Sequence, residues 1–175
     1  MKEAVHHCPA CGEKSLLTIS SKQFCCELCR FTFFQNPAAA AMVAICYQDE
    51  LLVATRAHEP GIGMWDLPGG FVDPDESLEE AVVREVYEEL NLHISGATYI
   101  SSYSNTYLYK EIKYKTCDAF FVVELDEKPA LTAQDDVASI EWLKLSEIDI
   151  ERFAFESAKK AVLTLSGSEG VFLSK

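Results

Sequence analysis

Basic residues are scarce in this sequence: 15 Lys and Arg stand against 28 Asp and Glu, which gives a formal net charge of −13. General affinity for nucleic acid or for an anionic membrane needs a basic surface that displaces counterions. The charge therefore argues against nucleic acid and membrane partners. It leaves small phosphorylated ligands, which a metal ion or a single arginine could hold.

Long apolar runs are also lacking. No stretch approaches the roughly 20 apolar residues that cross a membrane, and the opening MKEAVHHCPACGEK lacks the apolar segment of a signal peptide. No internal repeat or low-complexity segment is present. We therefore expect a cytoplasmic protein, and 175 residues, 49% of them hydrophobic, suffice for one substantial core and a small appendage.

Cysteine, in contrast, is concentrated at the start of the chain. Two pairs, Cys8-x2-Cys11 and Cys26-x2-Cys29, have close to the spacing of a four-thiolate zinc site. Cys25 could replace Cys26 as a ligand, and the sequence does not choose between them. The pattern predicts a zinc ribbon over residues 1–35.

The predicted zinc is structural, because a complete thiolate shell leaves no open position for a substrate. A segment this short buries little apolar surface, so the metal should hold together its three predicted strands, LLTIS, KQFCC and RFTFF. His6 and His7 are candidate extra ligands, although an exposed polar N-terminus is the favoured interpretation.

Beyond residue 36 the pattern predicts a mixture of strands and helices. AAAAMVAICY and ELLVATRA read as a hairpin, and HISGATYISSYSNTYLYK and EIKYKTCDAFFVVEL as further strands. FAFESAKKAVLTLSG has helical spacing of apolar residues.

The segment 69–92, GGFVDPDESLEEAVVREVYEELNL, combines a glycine turn with an acidic helix. Ser77 and Glu80 match a capping box, which predicts a helix that begins near Leu78. Glutamates at 85, 88 and 89 share one arc of that helix. The neighbouring arc is predicted to dock on a sheet through five residues: Val82, Val83, Val86, Tyr87 and Leu90.

Three carboxylates on adjacent turns repel one another, and a bound divalent cation would relieve that repulsion. Hard oxygen ligands with no His or Cys nearby indicate Mg²⁺ or Mn²⁺. A solvated acidic helix face is the alternative. The glycine turn and Arg84, at fixed offsets from the glutamates, weigh against it.

These residues resemble the Nudix box, G-x5-E-x7-R-E-U-x-E-E-x-G-U, in which U is aliphatic. The positions here are Gly70, Glu76, Arg84, Glu85, Val86, Glu88, Glu89, Asn91 and Leu92. Asn91 departs from the pattern, which has Gly there. Because a left-handed helix C-cap is expected at this position and Asn is the next best residue for it, the departure leaves the chemistry intact.

The resemblance implies an α/β/α sandwich with a mixed sheet over residues 36–175, preceded by the ribbon. The same order occurs in the subgroup that contains NADH pyrophosphatases. It also implies a hydrolase that cleaves the diphosphate linkage of a nucleoside diphosphate joined to another group, of the NADH, ADP-ribose or dinucleoside polyphosphate type. The SQPWPFPxS tract that marks NADH specificity in the subgroup is absent, which disfavours NADH, and none of the subgroup's substrate tags decides among the three types.

The resemblance further implies roles for individual residues. Mg²⁺ or Mn²⁺ would be held by Glu85 and Glu89, with Glu88 and the Gly70 carbonyl as further ligands, and would lower the pKa of a bound water. The general base would be one of these carboxylates or a loop carboxylate, Asp135 or Asp136, of which Asp136 is preferred.

Around this set, Arg84 and Glu76 are expected to form a salt bridge that fixes the helix against the loop. Arg56 is a candidate phosphate clamp and Tyr107 a candidate stacking partner for a base. A homodimer remains open. The alternative function is a non-catalytic nucleotide sensor whose ribbon binds a partner, but a binder has no need for every box carboxylate.

Overall fold

The computed structural model describes residues 5–167, which form two compact units divided between Pro37 and Ala38. The first unit is a four-stranded antiparallel sheet in the order β1-β2-β3-β4. Its strands are β1 (Val5–His7), β2 (Lys14–Thr18), β3 (Gln23–Cys26) and β4 (Thr32–Phe34). The three predicted strands are present.

Strand β1 was not predicted. His6 and His7 are exposed, as expected, but they belong to this strand rather than to an irregular terminus. Pairing of Val5 with Leu17 on β2 and edge-on packing of the His6 ring against Phe24, with centroids 5.7 Å apart, account for the strand. Such contacts depend on the folded neighbour and leave no periodic signal in three residues.

The second unit is built on a mixed seven-stranded sheet. Its strands are β5 (Ala38–Tyr47), β6 (Glu50–Arg56), β7 (Trp65–Asp66), β8 (Gly69–Phe71), β9 (Thr98–Tyr109), β10 (Ile112–Glu124) and β11 (Val137–Lys144). The order is β11-β6-β5-β10-β9, with β7 paired to β6 and β8 to β5. Strands β5 and β10 are parallel, and the other pairs are antiparallel.

Two helices, α1 (Leu78–Leu90) and α2 (Glu156–Gly167), cover opposite faces of this sheet. Alternate residues of β5 separate the two cores: Ala44 packs in the cluster that contains Val162 of α2, and Val43 in the cluster that contains Val86 of α1. Two short 3-10 helices, Leu145–Glu147 and Ile150–Arg152, precede α2. The predicted α/β/α sandwich with a mixed sheet is confirmed.

Both ends of α1 follow from its sequence. The Ser77 hydroxyl accepts a hydrogen bond from the Glu80 N–H, and the Glu80 carboxylate accepts one from the Ser77 N–H, which completes the capping box. Asn91 adopts the left-handed conformation, with φ 52° and ψ 36°, and its N–H donates to the Tyr87 carbonyl. The expectation that Asn replaces Gly as the cap is therefore confirmed.

One docking residue was wrongly predicted. Val82, Val86 and Leu90 are fully buried and Val83 is half-buried, but Tyr87 is 44% exposed. Tyr87 lies beyond the edge of the buried face, and its ring stacks on His93 with centroids 4.5 Å apart. Within residues 5–167, no helix combines the length and the apolar character needed to cross a membrane.

Candidate active site

The two glycines of β8 allow the chain to pass closely between strand β5 and helix α1. A Cβ on Gly69 would lie 2.1 Å from the Ala41 carbonyl oxygen, and Gly69 has φ +144°. A Cβ on Gly70 would lie 2.4 Å from Oε1 of Glu85. The absence of side chains therefore brings the backbone of β8 directly against the carboxylates of α1.

Two of the three box glutamates on α1 are buried. Glu85 and Glu89 are 8% and 6% exposed, and the Gly69 N–H donates to Oε2 of Glu89 over 3.0 Å. Burial raises the pKa of Glu85 and raises that of Glu89 well above its ordinary value, because the charged form loses solvation. Glu88 is exposed. The site is therefore unfavourable for anionic glutamates until positive charge enters it.

Arg84 supplies part of that positive charge. Its Nε and Nη2 donate to the two oxygens of Glu76, each over 2.9 Å, so the predicted salt bridge is present and bidentate. Its Nη1 also donates to Glu85 over 2.8 Å and to Glu88 over 2.9 Å, and Nη2 to the Phe71 carbonyl over 3.0 Å. The contacts to Glu85 and Glu88 were not predicted.

The donor set suits a hard divalent cation. Glu85, Glu88 and Glu89 present carboxylate oxygens on one helix face beside the Gly70 backbone, and these are the ligands that such cations take. The single guanidinium of Arg84 can neutralise one carboxylate charge. Four carboxylates, those of Glu76, Glu85, Glu88 and Glu89, lie in and beside this part of the cleft. The structure therefore leaves an excess of negative charge at the mouth of a cleft.

That cleft, of about 340 Å³, brings most of the predicted residues together. It is lined by Gly70, Arg84, Glu85, Glu88, Glu89, Arg56, Tyr107, Asp135 and Asp136. Glu76 lies outside the lining and contacts it through Arg84 and through the Asp73 N–H, which donates to Oε2 of Glu76 over 3.0 Å. The Asp136 side chain is 62% exposed, with Oδ1 3.8 Å from Nε2 of His58.

Arg56 is less free than a phosphate clamp would be. Its Nη1 donates to Oδ2 of Asp66 over 2.8 Å, and its Nε donates to the Pro60 carbonyl over 2.7 Å. The guanidinium also lies 4.9 Å from the centroid of the Phe155 ring. Two of its donor groups are thus engaged within the protein, although the residue lines the cleft.

Aromatic rings form one wall of the cleft. The Tyr107 ring packs edge-on against Phe71, with centroids 5.4 Å apart, and at a tilt against Phe155, with centroids 5.6 Å apart. Phe155 was predicted only as a core residue of the last helix. The wall offers faces on which a nucleobase could stack.

Several polar residues of the cleft were missed at the sequence level: Asp66, Asn105, Thr116, Asp118 and Ser157. Burial raises the pKa of Asp66 to about 6, against a lowering by Arg56. A signal existed for Thr116 and Asp118, because they occupy every second position of the strand that continues into the apolar run AFFVV. Polar residues at inward positions of a buried strand mark an unusual site.

In the first unit, four thiols cluster as a tetrahedral zinc site requires. The Sγ atoms of Cys8, Cys11, Cys26 and Cys29 all lie within 4.8 Å of one another, with 3.7 Å between Cys8 and Cys29 and 3.8 Å between Cys11 and Cys26. Cys25 is outside the cluster. Of the two alternatives that the sequence left open, Cys26 belongs to the thiol cluster and Cys25 does not.

Comparisons with known proteins follow the same division of the chain. The profile of the NUDIX domain matches residues 36–164. The chain is 35% identical over 96 residues to proteins named NAD-capped RNA hydrolase NudC from Photorhabdus laumondii and Yersinia enterocolitica. The match covers 55% of this chain but only 37% and 36% of those relatives, so the chain spans little more than a third of their length.

Solved structures agree on the fold. A NUDIX hydrolase from Nitrosomonas europaea superposes with a TM-score of 0.72 at 22% identity, over 93% of this chain and 91% of that one. The NUDIX domain of Shewanella oneidensis NrtR, solved with ADP ribose, gives a TM-score of 0.63 at 20% identity, over 77% and 90%. With the matched domain, the sandwich and a box that departs from the pattern only at Asn91, the chain belongs to the Nudix family.

Proposed function

We propose that this chain is a Nudix hydrolase that cleaves the diphosphate linkage of a nucleoside diphosphate joined to another group. The observation that carries the proposal is the convergence of Glu85, Glu88 and Glu89 with the β8 backbone in one cleft that also has an aromatic wall. The relatives are named for hydrolysis of NAD-capped RNA, and a structural neighbour is described with ADP ribose bound.

The cation is Mg²⁺ or Mn²⁺, held by the three glutamates and the Gly70 carbonyl. When bound, it neutralises the diphosphate and lowers the pKa of a water molecule. The chain's own residues prepare this site: the Gly69 N–H orients Glu89, and Arg84 orients Glu85 and Glu88. Glu76 in turn fixes Arg84 by two hydrogen bonds.

The proton acceptor is a carboxylate at the cleft, and Asp136 is our preferred candidate. It lies in the loop before β11, lines the cleft and is largely exposed. Glu85, Glu88 and Glu89 are the alternatives. Asp136 is preferred to them because a carboxylate that contacts the cation is a poorer base.

The substrate is a small nucleotide whose base lies against Tyr107 and Phe155. The family resemblance points to the NADH, ADP-ribose and dinucleoside polyphosphate type of substrate, the relatives are named for NAD-capped RNA, and a structural neighbour is described with ADP ribose. The net charge of −13 disfavours long RNA, because no surplus of basic residues is available to neutralise its phosphates. The guanidinium of Arg56 lies 4.9 Å from the centroid of the Phe155 ring and contributes positive charge beside the aromatic wall of the cleft.

The test is hydrolysis of NADH, NAD-capped RNA, ADP-ribose and diadenosine tetraphosphate with Mg²⁺ or Mn²⁺, followed by chromatography of the products. We expect metal-dependent cleavage of at least one small member. For that substrate, Glu89→Gln should lower kcat by more than the roughly 10- to 100-fold loss that is typical when a residue that supports the metal ligands is substituted. Circular dichroism should show an unchanged fold.

Glu79→Gln is the matched control, because Glu79 lies on the same helix but is exposed and outside the cleft. It should retain normal turnover. Near-normal activity of Glu89→Gln would remove Glu89 from the metal site. Tight binding of a nucleotide without hydrolysis of any member would favour the sensor instead.

A further inference from the structure

Two buried polar side chains lie in the cleft on strand β10, which contributes none of the box carboxylates. Asp118 is 7% and Thr116 is 4% exposed. They share the face of β10 on which Phe120 and Val122 pack in the core beneath α2, and both line the cleft. One face of β10 is therefore apolar where it packs in the core and polar where it lines the cleft.

Neither side chain is satisfied within the protein. Oδ1 of Asp118 and Oγ1 of Thr116 are buried and have no hydrogen-bond partner among residues 5–167. A buried polar group without a partner is unfavourable, and a carboxylate more so. The neighbouring Asp66 differs, because Arg56 and the Leu67 N–H each donate to one of its oxygens.

The surroundings limit what could supply the missing partners. Asp66 and Asp118 line the same cleft, and Arg56 pairs with Asp66. Burial is the main cause of the raised pKa of Asp66, and the Asp118 carboxylate adds a smaller contribution. An anionic phosphate is therefore disfavoured at Asp118, and a group with N–H donors is favoured. The cross-strand partner of Thr116 is Asn105, which also lines the cleft, and Tyr107 follows two residues later on the same strand face.

The two side chains differ in hydrogen-bonding capacity. An ionised carboxylate only accepts hydrogen bonds, whereas a threonine hydroxyl can donate one. Together they match a planar group that presents an N–H donor beside an acceptor. The rings of Tyr107 and Phe155 provide the stacking surface that such a planar heterocycle needs.

We propose that Asp118 and Thr116 read the base of the substrate and select a purine that carries an amino group. Asp118 accepts a hydrogen bond from the base, and Thr116 donates one to the adjacent ring nitrogen or carbonyl. Adenine offers the 6-amino group beside N1, and guanine offers N1–H and the 2-amino group beside O6. The inference rests on the proposed function and adds the base to it.

The test is calorimetric binding to the full chain of three diphosphates: ADP, GDP and the diphosphate of purine riboside, in which hydrogen replaces the amino group. We expect ADP or GDP to bind at least about tenfold more tightly than the purine riboside compound, the effect of one good hydrogen bond. The stronger of the two identifies the base. Because binding is measured, the result holds whether or not the chain hydrolyses any linkage.

Asp118→Asn keeps the shape but turns one acceptor into a donor, and Thr116→Val removes the hydroxyl. Each should reduce the preference for the amino-bearing base severalfold, and Thr116→Ser should retain it. Asp126→Asn, the same change at an exposed turn residue outside the cleft, should leave the preference unchanged.

Thermal unfolding separates recognition from structural damage. Because Asp118→Asn removes a buried carboxyl group whose Oδ1 has no hydrogen-bond partner, the melting temperature of this variant should equal or exceed that of the parent chain while its affinity falls. Equal binding of the three diphosphates by the parent chain would overturn the proposal. So would an undiminished preference in Asp118→Asn or, if that variant does not fold, in Thr116→Val.

Discussion

A single arginine, Arg84, connects three carboxylates in and beside the cleft. It donates to Glu76, Glu85 and Glu88 and to the Phe71 carbonyl. Lysine could not reproduce this, because one ammonium lacks the planar fork that engages both oxygens of Glu76 while also reaching α1's other carboxylates. The box arginine thus holds the loop and two glutamates in one geometry, and the Glu76 pKa is lowered accordingly.

Asp66 permits a prediction about pH at the residue scale. Burial raises its pKa from 3.8 to about 6, so the folded chain binds this proton more tightly than the unfolded chain does. The stabilisation from the protonated form is complete below pH 4 and is lost as the pH rises through 6. Relative to Asp66→Asn, the free energy of unfolding should fall by up to about 3 kcal/mol between pH 4 and pH 7.

Urea unfolding of the parent chain and of Asp66→Asn at pH 4, 5, 6 and 7 measures this difference. Asp126→Asn serves as the exposed control and should track the parent chain at each pH. A difference that stays constant, or that grows in favour of the parent chain with rising pH, would show that the pKa of Asp66 is not raised.

Helices and strands with a strong local signal were predictable, and those that depend on tertiary contacts were not. The capping box defined the start of α1, and continuous apolar segments defined β5, β6 and β10, because such signals are local in the sequence. Strand β1 and the position of Tyr87 depended on partners distant in the sequence. The box carboxylates were found because they form a motif that is local in the sequence. Asp66 and Asp118 were missed because the fold brings them to the cleft from separate strands.

The C-cap of α1 gives the prediction at the element scale. Asn91 has φ 52°, which is a left-handed conformation. This conformation costs most residues roughly 1–2 kcal/mol, but Gly, which has no Cβ, and Asn, whose short polar side chain can hydrogen-bond locally, tolerate it. We expect Asn91→Gly to leave the free energy of unfolding within about 0.5 kcal/mol of the parent chain and Asn91→Ala to lower it by about 1 kcal/mol. Chemical denaturation of the three chains tests this, and equal stability of the Ala and Gly variants would contradict it.

At the scale of the whole molecule, the two units differ in what stabilises them. The second unit has two extensive apolar clusters, one on each face of its sheet. Among the described residues of the first unit, the buried apolar side chains are those of Cys8, Leu16 and Cys26, with Phe24 packed against them. Because so small a core offsets little of the entropy lost in ordering some thirty residues, we infer that the first unit depends on a metal ion bound by its four clustered thiols.

We therefore expect one zinc per chain, held by Cys8, Cys11, Cys26 and Cys29. Cys8→Ser should lose the zinc and make the segment before Pro37 sensitive to protease, because the apolar core of this unit is too small to stabilise it without the metal.

Cys25→Ser is the matched control. It removes a thiol of the same segment that lies outside the cluster, and the variant should retain a full equivalent of zinc. Turnover of a small substrate should persist in both variants, since every residue that lines the cleft lies beyond Pro37. Elemental analysis, limited proteolysis and the hydrolysis assay measure the three outcomes. Less than one zinc in the parent chain, together with unchanged protease resistance in Cys8→Ser, would show that the first unit folds without the metal.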